Sequence, residues 1–428
     1  MAQADNQAVV LLRRLRDLEE QRSNWETHWQ EVADYMRPRK ADITKNRTPG
    51  QKRTELIFDG TAIHAAEMLS ASLHGMLTNM STPWFTLRYT EPSLEDDDIA
   101  KEWLELAEQT MYQAFQRSNF QEQVHEMYDD LVCFGTAIMF VEKDETTSYR
   151  FSTRHIAECF VAEDANGRVN TVYRKFKMSA RAAMNQFGDN VSDRIKNADK
   201  KDPHGMVELV HVVLPRDDRD ITKKTAQNKP WASMYLDSEE KTILGESGYD
   251  EMPYVVPRWL KASTENNGFG HSPAMSCLAD TKMLNKMSEI TIRAAQKQID
   301  PPLMVPDDGF MLPIRTVPGG LNFYRSGTRD RIEPLNIGAN QPLGLQMEEQ
   351  RRQAIRSAFY VDQLILAQNQ TMTATEVIQR TEEKMRLLGP VLGRLQAEFL
   401  QPLIERCFNI LSRDKGLPQP PEFMAGLN

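Results

Sequence analysis

The chain has 428 residues, 40% of them hydrophobic and 26% charged, with a formal net charge of −9. That length calls for two or three domains rather than one core, and no apolar run approaches the roughly 20 residues of a membrane span. The acidic balance excludes a protein that grips nucleic acid over its whole surface, which takes clustered Lys and Arg, but not one past which nucleic acid slides.

In chain order, Val9 to Tyr35 reads as an amphipathic helix with Leu12, Leu15, Leu18, Trp25, Trp29 and Val32 on one side. Its apolar stretch is short and interrupted by charge, unlike a signal peptide. Arg37 to Gln51 is basic and loop-like. "TAIHAAEMLSASLHGMLTNM" reads as a second helix, dense in the small residues that permit close helix approach. A third follows Ser93, a good N-cap, and continues to Arg117. The run Glu95–Asp98 reads as acidic residues complementing that helix dipole, in preference to a metal site. A fourth helix covers Asn119 to Leu131.

Strand signals follow. "CFGTAIMFVEK" is a buried-strand candidate. "IAECFVAEDANGRVNTVYRKFKM" reads as two strands joined through an Asn166-Gly167 turn. "VELVHVVLP", "WASMYLD" and "KTILGES" add more, so residues 1–260 read as a mixed α+β domain.

The next part differs. "SPAMSCLADTKMLNKMSEITIRAAQKQI" reads as one capped helix of about 27 residues, roughly 40 Å long, with Ser272 as cap and Pro273 at the first helical position. His271, just before it, reads as a loop residue rather than a ligand. The helix ends at Asp300-Pro301-Pro302, and a Pro/Gly-rich, β-like insert runs on to Gly338. A helix from Pro342 to Tyr360 and a polar loop from Val361 to Met372 come next. Two helices separated by a compact insert can lie side by side with the insert at their far end. An enzyme domain rarely needs that shape, whereas a subunit lining a channel does. Thr373 and Glu376 then form a capping box, with Met372 and Val377 as its hydrophobic staple. Apolar residues recur at helical spacing from Val377 to Phe408, and Gly389-Pro390 and Pro402 predict kinks.

Catalytic patterns are absent from the sequence. There is no G-x-x-x-x-G-K-[ST], no H-E-x-x-H and no G-x-S-x-G. Cys133, Cys159, Cys277 and Cys407 form no C-x-x-C pair, so neither a zinc site nor a disulfide framework is suggested, and a reducing cytoplasm fits best. No cofactor is expected. A chain this long without a site motif reads as structural rather than catalytic.

Four stretches carry a resemblance: "NWETHWQEVADYMRPR", "FDGTAIHAAEMLSASLHGMLTNMSTPWFTLRY", "FGTAIMFVEKD" and "TMTATEV". Taken in order, they resemble the head-to-tail connecting, or portal, proteins of short-tailed bacteriophages, and the likeness covers nearly the whole chain. The resemblance implies a ring-forming portal fold: an α+β wing at 1–270, a first stem helix at 271–299 and a small β-containing clip at 300–338. A second stem helix at 339–360, a tunnel loop at 361–372, a long kinked helix at 373–412 and the start of a C-terminal crown region at 413–428 complete it. Family members commonly continue into a helical crown, whereas this chain stops at "LPQPPEFMAGLN".

The resemblance also implies a ring, usually dodecameric, at one capsid vertex of the virion, assembled in the host cytoplasm. Double-stranded DNA passes through it without sequence specificity during packaging and ejection. Its partners are terminase, tail adaptor proteins, and the major capsid and scaffolding proteins, with no membrane. Gln363, Gln368, Asn369 and Gln370 are then the DNA-facing tunnel loop, and Met372, Thr373, Glu376 and Val377 cap its hinge. Arg315, Arg325, Arg329 and Arg331 make clip contacts. Arg351, Arg352 and Arg356 on the second stem helix either give local contacts to DNA or pair with Glu348 and Glu349. Two other readings stand beside this one. The first is another virion component, such as an adaptor or minor capsid protein, lacking the stem–clip–stem order. The second is a soluble enzyme working through scattered carboxylates.

Overall fold

The computed structural model describes residues 2–48, 50–89, 97–223, 225–261, 268–301, 303–304, 333–334, 341–364 and 388–421. Helix α1 (Ala2–Met36) runs under two cores. Trp25, Trp29, Val32 and Met36 enter the main one, while Leu11, Leu12 and Leu15 enter a second. The Trp29 indole N–H donates to the carbonyl of Phe134 at 3.2 Å, which ties α1 to the fourth helix. The basic segment after α1 is stapled internally. Arg37 pairs with Asp129, Lys40 with Asp130 (2.6 Å), Lys45 and Arg47 with Asp34 (2.5 and 3.1 Å), and Arg53 with Asp42. Its positive charge is largely satisfied by the protein's own carboxylates.

Helix α2 (Thr61–Leu77) lays Ala62, Ala65, Ala66, Leu69 and Leu73 into the core against α4 (Phe120–Phe134), as its small residues predict. Helix α3 (Asp98–Arg117) is capped by Asp97, whose carboxylate accepts from the N–H groups of Ile99 and Ala100, both at 2.9 Å. The expected cap, Ser93, precedes the observed start and lies outside the described residues. Helix α4 ends at Gly135, left-handed at φ 74. The expected strand at 133–143 is therefore split: Cys133 and Phe134 are helical and strand β1 begins at Ile138. Only glycine fits the junction, because a Cβ there would lie 2.2 Å from the carbonyl oxygen of Gly270.

Strands β1 (Ile138–Asp144), β2 (Ser148–Arg154) and β8 (Tyr254–Val255) form one antiparallel sheet in the order β2-β1-β8. The other main sheet is antiparallel in the order β3-β4-β5-β6-β7. Its strands are β3 (Cys159–Glu163), β4 (Val169–Ser179), β5 (Met206–Pro215), β6 (Trp231–Asp237) and β7 (Thr242–Tyr249). The β3–β4 turn is built as the Asn166-Gly167 pair predicts. Gly167 takes φ 74, and Asp164 Oδ1 accepts from the N–H groups of Asn166 (2.8 Å) and Arg168 (2.9 Å). Two short helices, α5 (Ala180–Phe187) and α6 (Asp193–Lys201), interrupt the path from β4 to β5. Ser179 and Ser192 cap them, and Ala180, Ala183 and Ile195 pack with Leu209 and Leu244. Between the sheets His211 is buried against the hydroxyls of Tyr254 (3.0 Å) and Ser233 (2.9 Å). Burial pushes its pKa down to about 3, so the ring is neutral.

The expected helix at 272–299 is two. Ser272 caps α7 (Pro273–Ser276), accepting from the N–H of Met275 at 3.0 Å and donating to Cys133 at 2.8 Å. Cys277, at φ −99 and ψ 9, leaves helical geometry before α8 (Leu278–Ile299). That turn keeps Pro273, Ala274 and Met275 in the core, and the first half of α8 stays against it through Leu278 and Leu284. Beyond α8, β9 (Leu303–Met304) and β10 (Glu333–Pro334) pair antiparallel, so the two ends of the insert meet. Residues 305–332, with Arg315, Arg325, Arg329 and Arg331, lie outside the described residues. Helix α9 (Gln341–Ala358) packs beside α8. Tyr360, at φ 57, then turns the chain into α10 (Val361–Leu364). The expected polar loop therefore begins with a helical turn, because Val361 is apolar and buried. Gln363 has its backbone in α10. Its side chain, and Gln368, Asn369, Gln370, Met372, Thr373, Glu376 and Val377 entirely, lie outside the described residues.

The C-terminal helix consists of α11 (Gly389–Leu395), a π-turn at Gln396–Leu400, and α12 (Gln401–Arg413). Val391, Leu395, Phe399, Leu403, Cys407 and Leu411 are buried along it, four residues apart. An α-helix of 3.6 residues per turn carries such a series about 40° out of line at each step, or about 200° in all. The π-turn absorbs one residue and recovers about 100° of that drift. Its cause is Pro402, which has no N–H to offer the fourth carbonyl back. The N–H of Gln401 bonds instead to Gln396, five residues back. Pro390 sits in the first turn of α11, where no N–H is required.

Candidate functional site at the base of the helical hairpin

Helices α8 and α9 lie side by side, and their base is closed by polar groups. Asn285 on α8 is buried: its Nδ2 donates to Thr281 at 2.9 Å, and its Oδ1 accepts from the N–H groups of Phe58 (2.7 Å) and Asp59 (3.0 Å). The chain entering α2 is thereby pinned to α8. Asp59 also caps that entry, with Oδ1 accepting from Thr61 at 2.8 Å. Its other oxygen accepts from Arg352 Nε on α9 at 2.9 Å. Arg352 reaches Glu348 at 2.9 Å, and Glu348, 3% exposed, accepts from Thr291 of α8 at 2.6 Å. Arg351 pairs across the hairpin with Asp280 at 2.8 Å.

The charges at this clamp reinforce one another. Burial pushes the Asp59 carboxyl up, but the hydrogen bonds from Thr61 and the bond and charge of Arg352 outweigh it and hold the group below its usual value. Burial likewise disfavours the Arg352 cation, yet Asp59 and Glu348 raise its pKa overall. Removing one partner would leave a largely desolvated charge alone, which costs far more than the pair contributes in net terms. A pocket of about 570 Å³ opens beside the clamp, lined in part by Asp59, His64, Arg356 and Asp362.

Of the expected site residues, this region brings together Arg351, Arg352 and Arg356. All three have carboxylate neighbours: Arg352 also approaches Glu349 at 3.6 Å, and Arg356 approaches it at 3.9 Å. Arg352 and Arg356 thus have the expected partners among Glu348 and Glu349, whereas Arg351 pairs with Asp280 instead. The partners missed by sequence reading are Asp59, Asp280 and Asn285. For Asp59 a signal existed: Asp two residues before a helix-starting Thr is an Asx-type cap. Among the described residues, no group of three or more His, Cys, Asp or Glu is arranged to hold a metal.

Mutually neutralised charges that join three chain segments are the chemistry of a joint. The class the fold defines is an α+β protein with a clamped helical hairpin. The sequence profile of the bacteriophage head to tail connecting protein family matches residues 9–428. The chain is 34% identical to the probable portal protein of Bordetella phage BPP-1, over 98% of its own length and 77% of that protein's. It is 32% identical to the portal protein of Salmonella phage epsilon15, over 99% and 78% respectively. The chain belongs to the bacteriophage head-to-tail connecting family and is a portal subunit.

Proposed function

We propose that the subunit closes with copies of itself into a dodecameric, non-catalytic ring at one capsid vertex of the virion, and that double-stranded DNA passes through its centre. The observation that carries this reading is the hairpin. One side of it is locked to the body by the clamp, while Ile290 (56% exposed) and Ile299 (85%) on α8 and Leu345 (52%) on α9 project apolar surface into solvent. Ile290 and Ile299 lie nine residues apart, on opposite sides of α8, and a ring requires each copy to present two different faces to its neighbours.

In this reading residues 1–270 are the wing and 271–299 and 339–360 the stem. The clip at 300–338, with Arg315, Arg325, Arg329 and Arg331, docks terminase first and the tail adaptor later. Residues 361–372 face DNA, and the capping box of Thr373 and Glu376 fixes the loop's end. Major capsid and scaffolding proteins surround the ring during assembly in the host cytoplasm. With −9 per subunit, a dozen copies carry on the order of a hundred net negative charges, so DNA slides rather than sticks. Sedimentation and native mass measurement of the purified protein, beside electron micrographs, test the reading. A closed ring of about a dozen copies is expected, and a monomer or dimer at every concentration would overturn it.

A further inference from the structure

The small sheet ends in an edge whose backbone is only half paired. Strand β8 lies outermost in the order β2-β1-β8. Its inner side bonds to β1 and the residues leading into it: the Val141 N–H donates to Pro253 at 2.9 Å, that of Ala137 to Pro257 at 3.1 Å, and that of Trp259 to Gly135 at 2.9 Å. Antiparallel pairing alternates, so the N–H and C=O groups of Tyr254, Val256 and Arg258 point away from β1. The Arg258 N–H is taken by Glu398 Oε2 at 3.1 Å. The backbone groups of Tyr254 and Val256 have no protein partner among the described residues, although both residues are buried, at 4% and 6% exposure. Buried backbone groups are nearly always paired. Pro253 and Pro257, which lack an N–H, fall on the inner row, so the outer row keeps all its donors.

A groove of about 950 Å³ runs along that edge. Its far wall is the C-terminal helix, which lies antiparallel to the strand: Glu398 meets Arg258, and Arg406 Nη1 donates to the carbonyl of Glu251 at 3.2 Å. Trp231, Met252, Ala397 and Pro402 supply apolar lining. Met252 to Arg258 spans about 20 Å as a strand, and the volume is at the upper end of ordinary ligand sites. The end beyond Val256 is basic. Arg258 Nη2 donates to Gly167 at 2.9 Å, which brings the neighbouring Arg168 to this end, and Arg168 lines the groove without an ion pair among the described residues. Arg258, Lys261 and Arg394 share only two carboxylates, Glu163 and Glu398.

We propose that the β8 edge is a strand-addition site. Its occupant is an extended segment of another protein, apolar in the middle and carrying a carboxylate at the Arg168 end. Only an extended backbone presents N–H and C=O groups at the repeat of about 7 Å that separates Tyr254 from Val256, because a helix pairs its own groups internally. Seated there, the segment forms about four main-chain hydrogen bonds, two to each residue. Alternate side chains face the apolar lining. Glu398 occupies the place of the next carbonyl at Arg258, so it stops the added strand and fixes its register. A carboxylate just past that stop meets the unpaired Arg168 and the surplus charge around it. The site requires neither the ring nor the channel.

Selection from a random library of short peptides on the full-length assembled protein tests the site, and the best binder is then resynthesised with alternate amides N-methylated. Recovered peptides should carry β-branched or aromatic residues in alternation and Asp or Glu at one end. N-methylation removes donors and leaves the side chains, so it should weaken binding by about tenfold or more. Ala397, exposed on the helix wall, can be enlarged without disturbing the core. Ala397→Trp should abolish binding at an unchanged melting temperature, and Arg168→Glu should weaken acidic-ended peptides by about tenfold. Hydrogen exchange over Met252–Arg258 reads the edge directly: the Tyr254 and Val256 amides should exchange quickly in the protein alone and slowly once peptide is added. A selection that yields no binder sensitive to Ala397→Trp, or a binder indifferent to N-methylation, overturns the proposal. Slow exchange at both amides before any peptide is added would mean that a neighbouring copy already covers the edge, and that overturns it as well.

Discussion

The body and the hairpin of this subunit share one core but differ in how they are held beyond it. The body buries aromatic and aliphatic side chains from α1, α2, α4 and the small sheet in one continuous core, with a steric fit at Gly135 and ion pairs such as Lys40–Asp130 at its junctions. The hairpin adds Leu278, Leu284, Ile355 and Phe359 to that core, takes a polar hold at its base from Asp59, Asn285, Glu348 and Arg352, and leaves large apolar side chains outside farther along. A close-packed core is complete within one chain. A polar clamp with uncovered apolar surface is half of something. In the proposed reading the apolar side chains left outside on the hairpin are where copies meet, and the contrast can be broken from either side.

The largest effect should come from the body. Gly135→Ala forces a side chain into a left-handed position and against the carbonyl of Gly270. Relief requires α4 or the 268–271 segment to move, and a loss of about 4 kcal/mol is expected. Thermal unfolding of the variant should begin well below that of the wild type. A near-normal transition would mean that the junction is soft and that the body is less rigid than its packing implies.

At the hairpin base, Arg352→Met leaves Asp59 and Glu348 without their shared cation. The expected local cost is about 3 kcal/mol, the low end for a broken buried pair because Arg352 is partly exposed. It should appear as faster amide exchange in α8 and α9, with the body unchanged. Equal loosening of the body would show that the two regions fold as one unit and dissolve the contrast.

Acid should separate the regions without any mutation. His211 has a folded pKa of about 3, below its ordinary 6.5, so the unfolded chain takes up the proton first. Stability from this group is present above pH 6.5 and is lost as pH falls from there toward 3. Between pH 6.5 and 5 the body should lose up to about 2 kcal/mol. Asp59 is also depressed, but from 3.8. Its contribution is present above that value and is lost only as pH falls through its folded pKa. Denaturant titrations at pH 7 and 5 should therefore weaken the body while exchange at the hairpin base holds. Loss at the base first would reverse the assignment.

Legibility in the sequence follows the same division. Helices with a long apolar stripe, such as α1, and the Asn166-Gly167 hairpin are periodic or local signals, and they stand where expected. Strand β2 and helices α5 and α6 escape sequence reading because they are only seven to nine residues long, and β2 and α6 are mostly polar. Their only local marks were the alternating Tyr149 and Phe151 and the caps Ser179 and Ser192. Pro402 announced an irregularity, but only the four-residue repeat around it says that the irregularity is a wide turn. The Asp59–Arg352 contact joins residues 293 apart, and no spacing rule reaches that far. Function was legible through the four resembling stretches. The individual residues proposed for the tunnel loop and for the clip lie outside the described residues, apart from the backbone of Gln363.

The smallest effect on the fold should carry the largest consequence for assembly. Ile290 sits on α8 with more than half its surface open, so Ile290→Asp removes little packing within the chain. A surface change away from caps, cores and networks typically alters stability by no more than about 0.5 kcal/mol. Thermal unfolding of the isolated subunit should be almost unmoved. In a ring the same position would be covered by a neighbour, and an aspartate there would be desolvated opposite apolar side chains without a partner. One defect repeated at every interface of a closed ring accumulates, so the sedimentation profile should shift from rings to free subunits at concentrations where the wild type is fully assembled. A normal ring with this substitution would place the contact elsewhere on the subunit, and the open apolar face of the hairpin would then need another partner.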